Sequence, residues 1–171
     1  MTELVLRPLT TDRVSKIADE WSQQVEPDVF ESELSLLFSW CSTHTEHVEG
    51  DAHAVEVFDT VAGSCEAILE IVNGKGGRMY KLLKLYLSPK YWPLYDAESI
   101  AQQILALYAQ TLSLVIDKAT SDGFKELRIY GRTNDLLDIL RSIESNWDSV
   151  AIDWDAIIQG RWLNCYLKNE G

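Results

Sequence analysis

The chain has 171 residues, 46% of them apolar, and a formal net charge of −12. This suits one globular domain spanning residues 1–171 and argues against nucleic-acid binding, because that binding needs clustered Lys and Arg. No apolar run is long enough to span a bilayer and the first residues do not resemble a signal peptide, so we expect a cytoplasmic protein with no membrane or nucleic-acid partner.

The first half of the sequence predicts one strand, two helices and a run of three strands. A short strand at 4–9 is followed by capping side chains and a helix that reaches about Gln23. Pro27 opens a second helix, whose apolar face ends at Cys41. The apolar period then changes to two, which predicts antiparallel strands with a glycine loop at 73–77 between the last two. These strands run from Ala52 to the turn at Thr60, from Ser64 to Val72 and from Arg78 to Leu87.

The second half predicts a long helix, a strand, another helix and two closing strands. The longest helical pattern covers 96–121, begins with Asp96 as a cap and ends before Gly123. A strand at 124–130 should lie parallel to the strand that precedes this helix. The last elements are a helix at 134–143, capped by Thr133, and strands at 150–154 and 161–167.

Charge is distributed unevenly along the chain. From Ile17 to Gly74 there are thirteen Asp and Glu and no Lys or Arg, whereas Lys75 to Lys90 holds five basic residues and no acid. The acidic segment is suited to attract a cationic amine or a protein partner. Solubility alone is the alternative explanation for it.

The cysteines and histidines predict structural roles. Three widely spaced cysteines suit reduced, buried side chains better than a disulfide framework. Cys41, His44 and His47 recur every three residues, a spacing that would allow them to share a metal on a helix. A second close pair of ligands is lacking, so we predict surface histidines and no metal.

The order of the predicted elements resembles the GNAT (Gcn5-related N-acetyltransferase) fold. Three segments are similar to GNAT proteins: LVLRPLTTDRVSKIADEW at the start, LKLYLSPKYW in the central strand, and FKELRIYGRTNDLLDIL in the next strand and helix. The resemblance covers nearly the whole chain. It implies an α/β (α+β) fold with a mixed, mostly antiparallel sheet of about six to seven strands flanked by about four helices. It also implies acetyl-CoA as the cofactor.

The resemblance further implies where the donor would bind. Pantetheine would pair with the backbone of Leu85, Tyr86 and Leu87. The stretch LSPKYWPLYDAESI stands where relatives carry a glycine-rich pyrophosphate loop, yet it has no glycine, two prolines without amide hydrogens and an acidic first helical turn. The residues of this stretch that we predict to contact CoA are Lys90, Tyr91 and Ser99.

Two residues are candidates for catalysis under the same resemblance. Many relatives place a general-acid Tyr at the position of Arg141, which cannot donate a proton near neutral pH. Tyr130 is the nearest substitute by chain position, with a core Tyr as the alternative. Glu70, together with Glu66, lies on the strand beside the central one and is the candidate base, with a solvated carboxylate as the alternative.

Two hypotheses about function follow. In the first, the protein is a divergent N-acyltransferase that moves an acetyl group from acetyl-CoA to a cationic amine through an altered CoA site. In the second, it is a non-catalytic GNAT-fold module that binds a protein or a small ligand and does not use acetyl-CoA. A homodimer formed through the last strands, around Trp154 and Trp162, is compatible with both hypotheses.

Overall fold

The structure, a computed structural model, describes residues 3–46, 50–74, 78–94 and 98–168, with the backbone alone at 93–94 and 98–100. Its strands are β1 (Leu4–Pro8), β2 (Ala52–Asp59), β3 (Ser64–Asn73), β4 (Met79–Leu87), β5 (Glu126–Tyr130), β6 (Trp154–Gln159) and β7 (Trp162–Leu167). Its α-helices are α1 (Thr11–Ser22), α2 (Pro27–Glu33), α3 (Ser35–Ser42), α4 (Glu98–Ser121) and α5 (Asn134–Glu144). Short 3₁₀ helices lie at Pro89–Leu94 and Trp147–Ser149.

The seven strands form one sheet in the order β1-β2-β3-β4-β5-β7-β6. Strands β4 and β5 run parallel, with Met79 opposite Glu126 and Leu82 opposite Ile129. A parallel pair needs a crossover connection, which α4 supplies. β1 with β2, β5 with β7 and β6 with β7 are antiparallel. The predicted mixed, mostly antiparallel sheet is therefore confirmed, with five α-helices in the described part of the chain where about four were expected.

The helix predicted from Pro27 to Cys41 is in fact two helices. Leu34 stands between them with φ −115°, outside the usual helical range. Its side chain is buried in the same core as Leu37 and Phe38 of α3. Periodicity could not reveal the break, because apolar residues follow a helical spacing on both sides of it.

The strand predicted at 150–154 was also wrong in its extent, since β6 begins only at Trp154. The amides of Val150 and Ala151 donate to the carbonyl of Trp147, so the preceding residues form turns. Residues 75–77 of the predicted glycine loop and the predicted cap Asp96 lie outside the described residues.

Other element boundaries follow local signals. Thr10 and Thr133 act as N-caps, with each hydroxyl accepting a backbone amide over 3.2 Å, from Arg13 and Leu136 respectively. Gly123, which follows α4, has φ +81°, a conformation that costs glycine little. The signals identified in the sequence at these three positions are confirmed.

Contacts divide the chain into two interleaved units, Met1–Glu70 with Leu85–Ile100 and Ile71–Lys84 with Ala101–Gly171. In the first unit, α1, α2 and α3 pack a core that includes Trp21 and Ile68, with Tyr86 and Trp92 partly buried against it. In the second unit, buried side chains come from α4, α5 and the last strands. They include Leu112, Val115, Leu127, Leu140, Trp154 and Leu163.

Among the described helices, none combines the length and the apolar composition that a membrane span requires.

Cys41, Cys65 and Cys165 are all buried and free, which confirms their predicted role as small apolar side chains. The single domain expected over residues 1–171 stays a prediction.

The N-cap of α5 should contribute to stability. In Thr133→Ala the amide of Leu136 loses its acceptor, and we expect the free energy of unfolding to fall by about 1 kcal/mol. Thr133→Ser keeps the hydroxyl and should stay within about 0.5 kcal/mol of the wild type. Urea unfolding followed by circular dichroism measures both variants. Equal losses in the two would show that the hydroxyl does not stabilise the helix.

Candidate functional site

Strand β4 is the element on which the predicted donor contacts depend. Its pairing with β5 runs from Met79 to Leu82, and the strand then continues to Leu87. Leu87 is buried, while Leu85 and Tyr86 are half-buried. The last part of β4 thus extends beyond its described pairing with β5. A strand edge without a neighbouring strand presents backbone donors and acceptors to other partners.

The direction of the backbone in this part of β4 can be inferred from one hydrogen bond. The amide of Ser88 donates to the carbonyl of Glu66 on β3 over 2.9 Å. Because successive residues in a strand direct their backbone groups to opposite edges, Tyr86 should face β3 as Ser88 does, and Leu85 and Leu87 should face away. The carbonyl of Leu87 accepts from Nε1 of Trp92 over 3.3 Å. Leu85 is therefore the best placed of the three predicted residues to pair with a ligand.

The stretch after β4 folds into a 3₁₀ helix, Pro89–Leu94. The side chain of Gln24, which follows α1, binds the start of this stretch. Oε1 of Gln24 accepts from the hydroxyl of Ser88 over 2.8 Å and from the amide of Lys90 over 2.9 Å. Both contacts use donors in the stretch where the sequence resemblance predicts a pyrophosphate site.

The buried carboxylate of Glu66, on β3, accepts hydrogen bonds from three side chains. Glu66 is 2% exposed. It accepts from Nζ of Lys90 over 2.7 Å, from the hydroxyl of Ser64 over 2.6 Å and from the hydroxyl of Tyr91. These donors offset the cost of removing the charge from water. Burial, and then the hydrogen bond to Glu66, raise the pKa of the Tyr91 phenol. We call these four residues the Glu66 cluster.

The Glu66 cluster contains two of the residues predicted to contact CoA. Lys90 and Tyr91 both direct their polar atoms to Glu66, and their contact with a cofactor stays a prediction. The side chain of Ser99 lies outside the described residues. The sequence suggested Glu66 as a candidate base and did not predict its ion pair with Lys90. The available signal was the acidic segment followed at once by the basic segment 75–90.

The candidate catalytic residues are both half-buried. Glu70 lies on β3 and Ile68, between it and Glu66, is in the core of the first unit. Tyr130 ends β5, and its ring centroid lies 4.8 Å from that of Trp162 on β7. Glu70 belongs to the first unit and Tyr130 to the second. The catalytic role of both stays a prediction.

The acidic segment from Ile17 to Gly74 divides into exposed and buried carboxylates. Three buried ones have partners within the protein. Glu56 accepts from Nε of Arg13 over 3.0 Å, Asp59 accepts from the amides of its own turn, and Glu66 belongs to its cluster. The turn amides lower the pKa of Asp59. Among the described residues of this segment, the exposed carboxylates, many of them on or near α2, are Asp19, Glu26, Asp28, Glu31, Glu33, Glu46 and Asp51.

The residues considered for a metal make other contacts. His44 stacks on Trp40 with ring centroids 4.4 Å apart, and its Nδ1 lies 2.9 Å from the Trp40 carbonyl oxygen. Burial raises the pKa of Cys41 to about 12, so the thiol stays protonated. Among the described residues, no group of three or more His, Cys, Asp or Glu is placed to hold a metal, and His47 lies outside them.

Solved structures are similar to this chain over nearly its whole length. An uncharacterized protein from Bacillus halodurans has a TM-score of 0.55 at 12% identity, covering 96% of this chain and 84% of that chain. Aminoglycoside 6'-acetyltransferase type Ii has a TM-score of 0.53 at 8% identity, covering 98% and 99%. A GNAT-family acetyltransferase from Bacillus anthracis has a TM-score of 0.53 at 10% identity, covering 97% and 94%. The chain has the GNAT fold.

The resemblance seen in the sequence is thus confirmed at the level of the fold. No protein-family model and no curated protein matches the sequence. A shared fold at such low identity does not specify an activity, because one fold supports many different sites. The function of this GNAT-fold protein depends on its own residues.

The Glu66 cluster should contribute to stability. Tyr91→Phe removes one donor from the buried carboxylate and keeps the ring, so we expect the free energy of unfolding to fall by about 1–2 kcal/mol. Tyr166→Phe, at an exposed tyrosine, is the matched control and should change it by less than about 0.5 kcal/mol. Urea unfolding near neutral pH compares them. A loss in Tyr91→Phe no larger than in the control would contradict the expectation.

The raised pKa of Tyr91 predicts a loss of stability at alkaline pH. The phenol titrates near 10.0 in the unfolded chain and higher in the folded protein. Its contribution is therefore complete below that pH and is lost as the pH rises toward the folded value, because the unfolded chain releases the proton first. Tyr80, whose pKa burial also raises, contributes equally in wild type and variant.

Urea unfolding at a series of alkaline pH values measures this dependence. Tyr91→Phe should lose stability less steeply than the wild type as the pH rises above the ordinary tyrosine pKa. Parallel curves of stability against pH for the two proteins would show that the Tyr91 phenol has the same pKa in the folded and unfolded states.

Proposed function

We propose that this protein binds an acyl-CoA thioester along β4 and transfers the acyl group to a cationic amine. The observation that supports this is the end of the β4–β5 pairing at Leu82, while β4 continues to Leu87. The pantetheine arm carries amide groups, which can hydrogen-bond to a strand edge as an added strand does. We assign this contact to the backbone of Leu85, which we infer to face away from β3.

The proposed reaction is a direct transfer. The amine nitrogen attacks the thioester carbonyl carbon, the new C–N bond forms, the C–S bond breaks, and CoA leaves as the thiol. A base must take a proton from the ammonium group and an acid must supply one to the sulfur. Glu70 and Tyr130 are the candidates for these roles from the sequence resemblance, and Glu70→Gln and Tyr130→Phe test each one singly.

A cationic acceptor is supported by charge. In the described part of the acidic segment, seven exposed carboxylates lie in a stretch without Lys or Arg, and the negative field of such a stretch raises the local concentration of cations. One structural neighbour is named an aminoglycoside 6'-acetyltransferase. Amino sugars, polyamines and lysine-containing peptides are therefore the acceptors to test.

A non-catalytic GNAT-fold module is the second candidate, and one observation favours it. Lys90 and Tyr91 make hydrogen bonds to Glu66, and the 3₁₀ helix that contains them includes Pro89 and Pro93. Prolines lack the amide hydrogen that a pyrophosphate would accept. A protein that had lost the donor site would use its acidic surface for binding alone.

Ligand binding separates the two candidates. Acetyl-CoA at a hundred times its dissociation constant should raise the free energy of unfolding by about 2.7 kcal/mol and the melting temperature by roughly 5 to 10 °C. Thermal shift and calorimetry measure binding, and release of free thiol with the amine panel measures transfer. Absence of any shift at millimolar acetyl-CoA would contradict the enzyme proposal. Binding without thiol release for any amine would contradict the proposed transfer to a cationic amine.

Two variants at one position test the assigned backbone contact. Leu85→Pro removes an amide hydrogen that we infer lies outside the β3 ladder, so the protein should fold and acetyl-CoA affinity should fall roughly fivefold to tenfold. Leu85→Ala keeps the amide and is the matched control, with affinity expected within about twofold of the wild type. Equal affinities in Leu85→Pro and Leu85→Ala would exclude this contact.

A further inference from the structure

We infer that Glu66 determines donor specificity by holding Lys90 away from phosphate, so that the acyl-pantetheine arm, and not the nucleotide half of CoA, provides donor recognition. The inference rests on the proposed function, because it describes how the same donor is recognised. It concerns residues of the first unit alone: Gln24, Ser64, Glu66 and the start of the 3₁₀ helix.

Lys90 is the basic residue that could attract an anion to the stretch after β4. The sequence from Ser88 to Ile100 contains no other Lys or Arg. Nζ of Lys90 lies 2.7 Å from Oε1 of Glu66, whose side chain is 3% exposed, while the Lys90 side chain is 39% exposed. An ammonium group paired with a buried carboxylate forms a neutral unit, which attracts a phosphate far less than a lone cation does.

The neighbouring donors also have internal acceptors. The hydroxyl of Tyr91 donates to Glu66, and the hydroxyl of Ser88 and the amide of Lys90 donate to Gln24. A pyrophosphate would have to displace Gln24 or Glu66 to use these groups. Displacing Glu66 would leave a buried carboxylate without its donors, which is costly. The pantetheine contact proposed for Leu85 requires neither change.

The expected consequence is a donor preference that depends little on the nucleotide. A conventional phosphate site would make acetyl-CoA bind much more tightly than S-acetylpantetheine, and the difference would shrink with added salt. With Lys90 paired to Glu66, the two donors should bind with similar affinity. Their affinities should also change little with salt.

Calorimetry on the wild-type protein tests this directly with acetyl-CoA and S-acetylpantetheine. We expect dissociation constants within roughly fivefold of each other at low and high salt. A larger advantage for acetyl-CoA would overturn the inference and leave the proposed function intact. Binding of neither donor would overturn the proposed function itself.

Removal of the Glu66 charge provides a second test. In Glu66→Gln the charge of Lys90 is no longer balanced, so acetyl-CoA affinity should rise roughly tenfold and S-acetylpantetheine affinity should not change. Glu66→Gln/Lys90→Met should abolish the gain. Lys118→Met removes an exposed lysine that is paired with Asp122 over 3.0 Å, and it should alter neither affinity.

The outcomes of the second test are also decisive. A rise that is equal for both donors, or that persists in the double variant, would overturn the role of Lys90. Unchanged acetyl-CoA affinity in folded Glu66→Gln would overturn the role of Glu66. If Glu66→Gln does not fold, the comparison of the two donors and the salt series with the wild-type protein decide the question.

Discussion

The buried carboxylate of Glu66 constrains the chain around the end of β4. A charge at this depth is stable when several donors surround it, and two of its donors, Lys90 and Tyr91, come from the stretch that follows β4. Gln24 holds the same stretch through Ser88 and the Lys90 amide. These contacts connect β3, Gln24 after the end of α1, and the 3₁₀ helix. They therefore fix the position of the chain at Ser88 to Tyr91.

The GNAT fold of this chain does not depend on the segment after β4. The fold depends on the apolar cores and on the order of the strands, which tolerate sequence change as long as volume and pattern are kept. The segment after β4 contributes polar contacts to Gln24 and Glu66. The function proposed for this protein therefore rests on β4 and its neighbours, because the fold alone does not specify an activity.

The uneven charge has two different physical roles in the folded protein. Glu56, Asp59 and Glu66 are buried and have their partners within the protein. The exposed carboxylates around α2 remain in water, where they create a negative field. A net charge counted from the sequence combines both groups, although the exposed group lies closest to an approaching ligand.

Much of the fold could be predicted from the sequence because its signals are local. Periodicity and helix caps such as Thr133 depend on residues a few positions apart, and the order of elements then indicated the parallel pairing of β4 with β5. The predicted donor residues were harder to interpret. Leu85 to Leu87 could be placed on the central strand by resemblance. The edge of the strand that their backbone groups face could be inferred only from the hydrogen bond between the Ser88 amide and the Glu66 carbonyl in the structure.

Only the tertiary structure decided the break at Leu34, the end of the β4–β5 pairing at Leu82 and the ion pair between Lys90 and Glu66. The reason is physical. A cation can meet a carboxylate far away in sequence only when the intervening strands bring them together, and the depth of burial then sets the strength of the contact. The sequence by itself determined the elements and their order, because these follow from neighbouring residues; the choice of long-range partners required the folded chain.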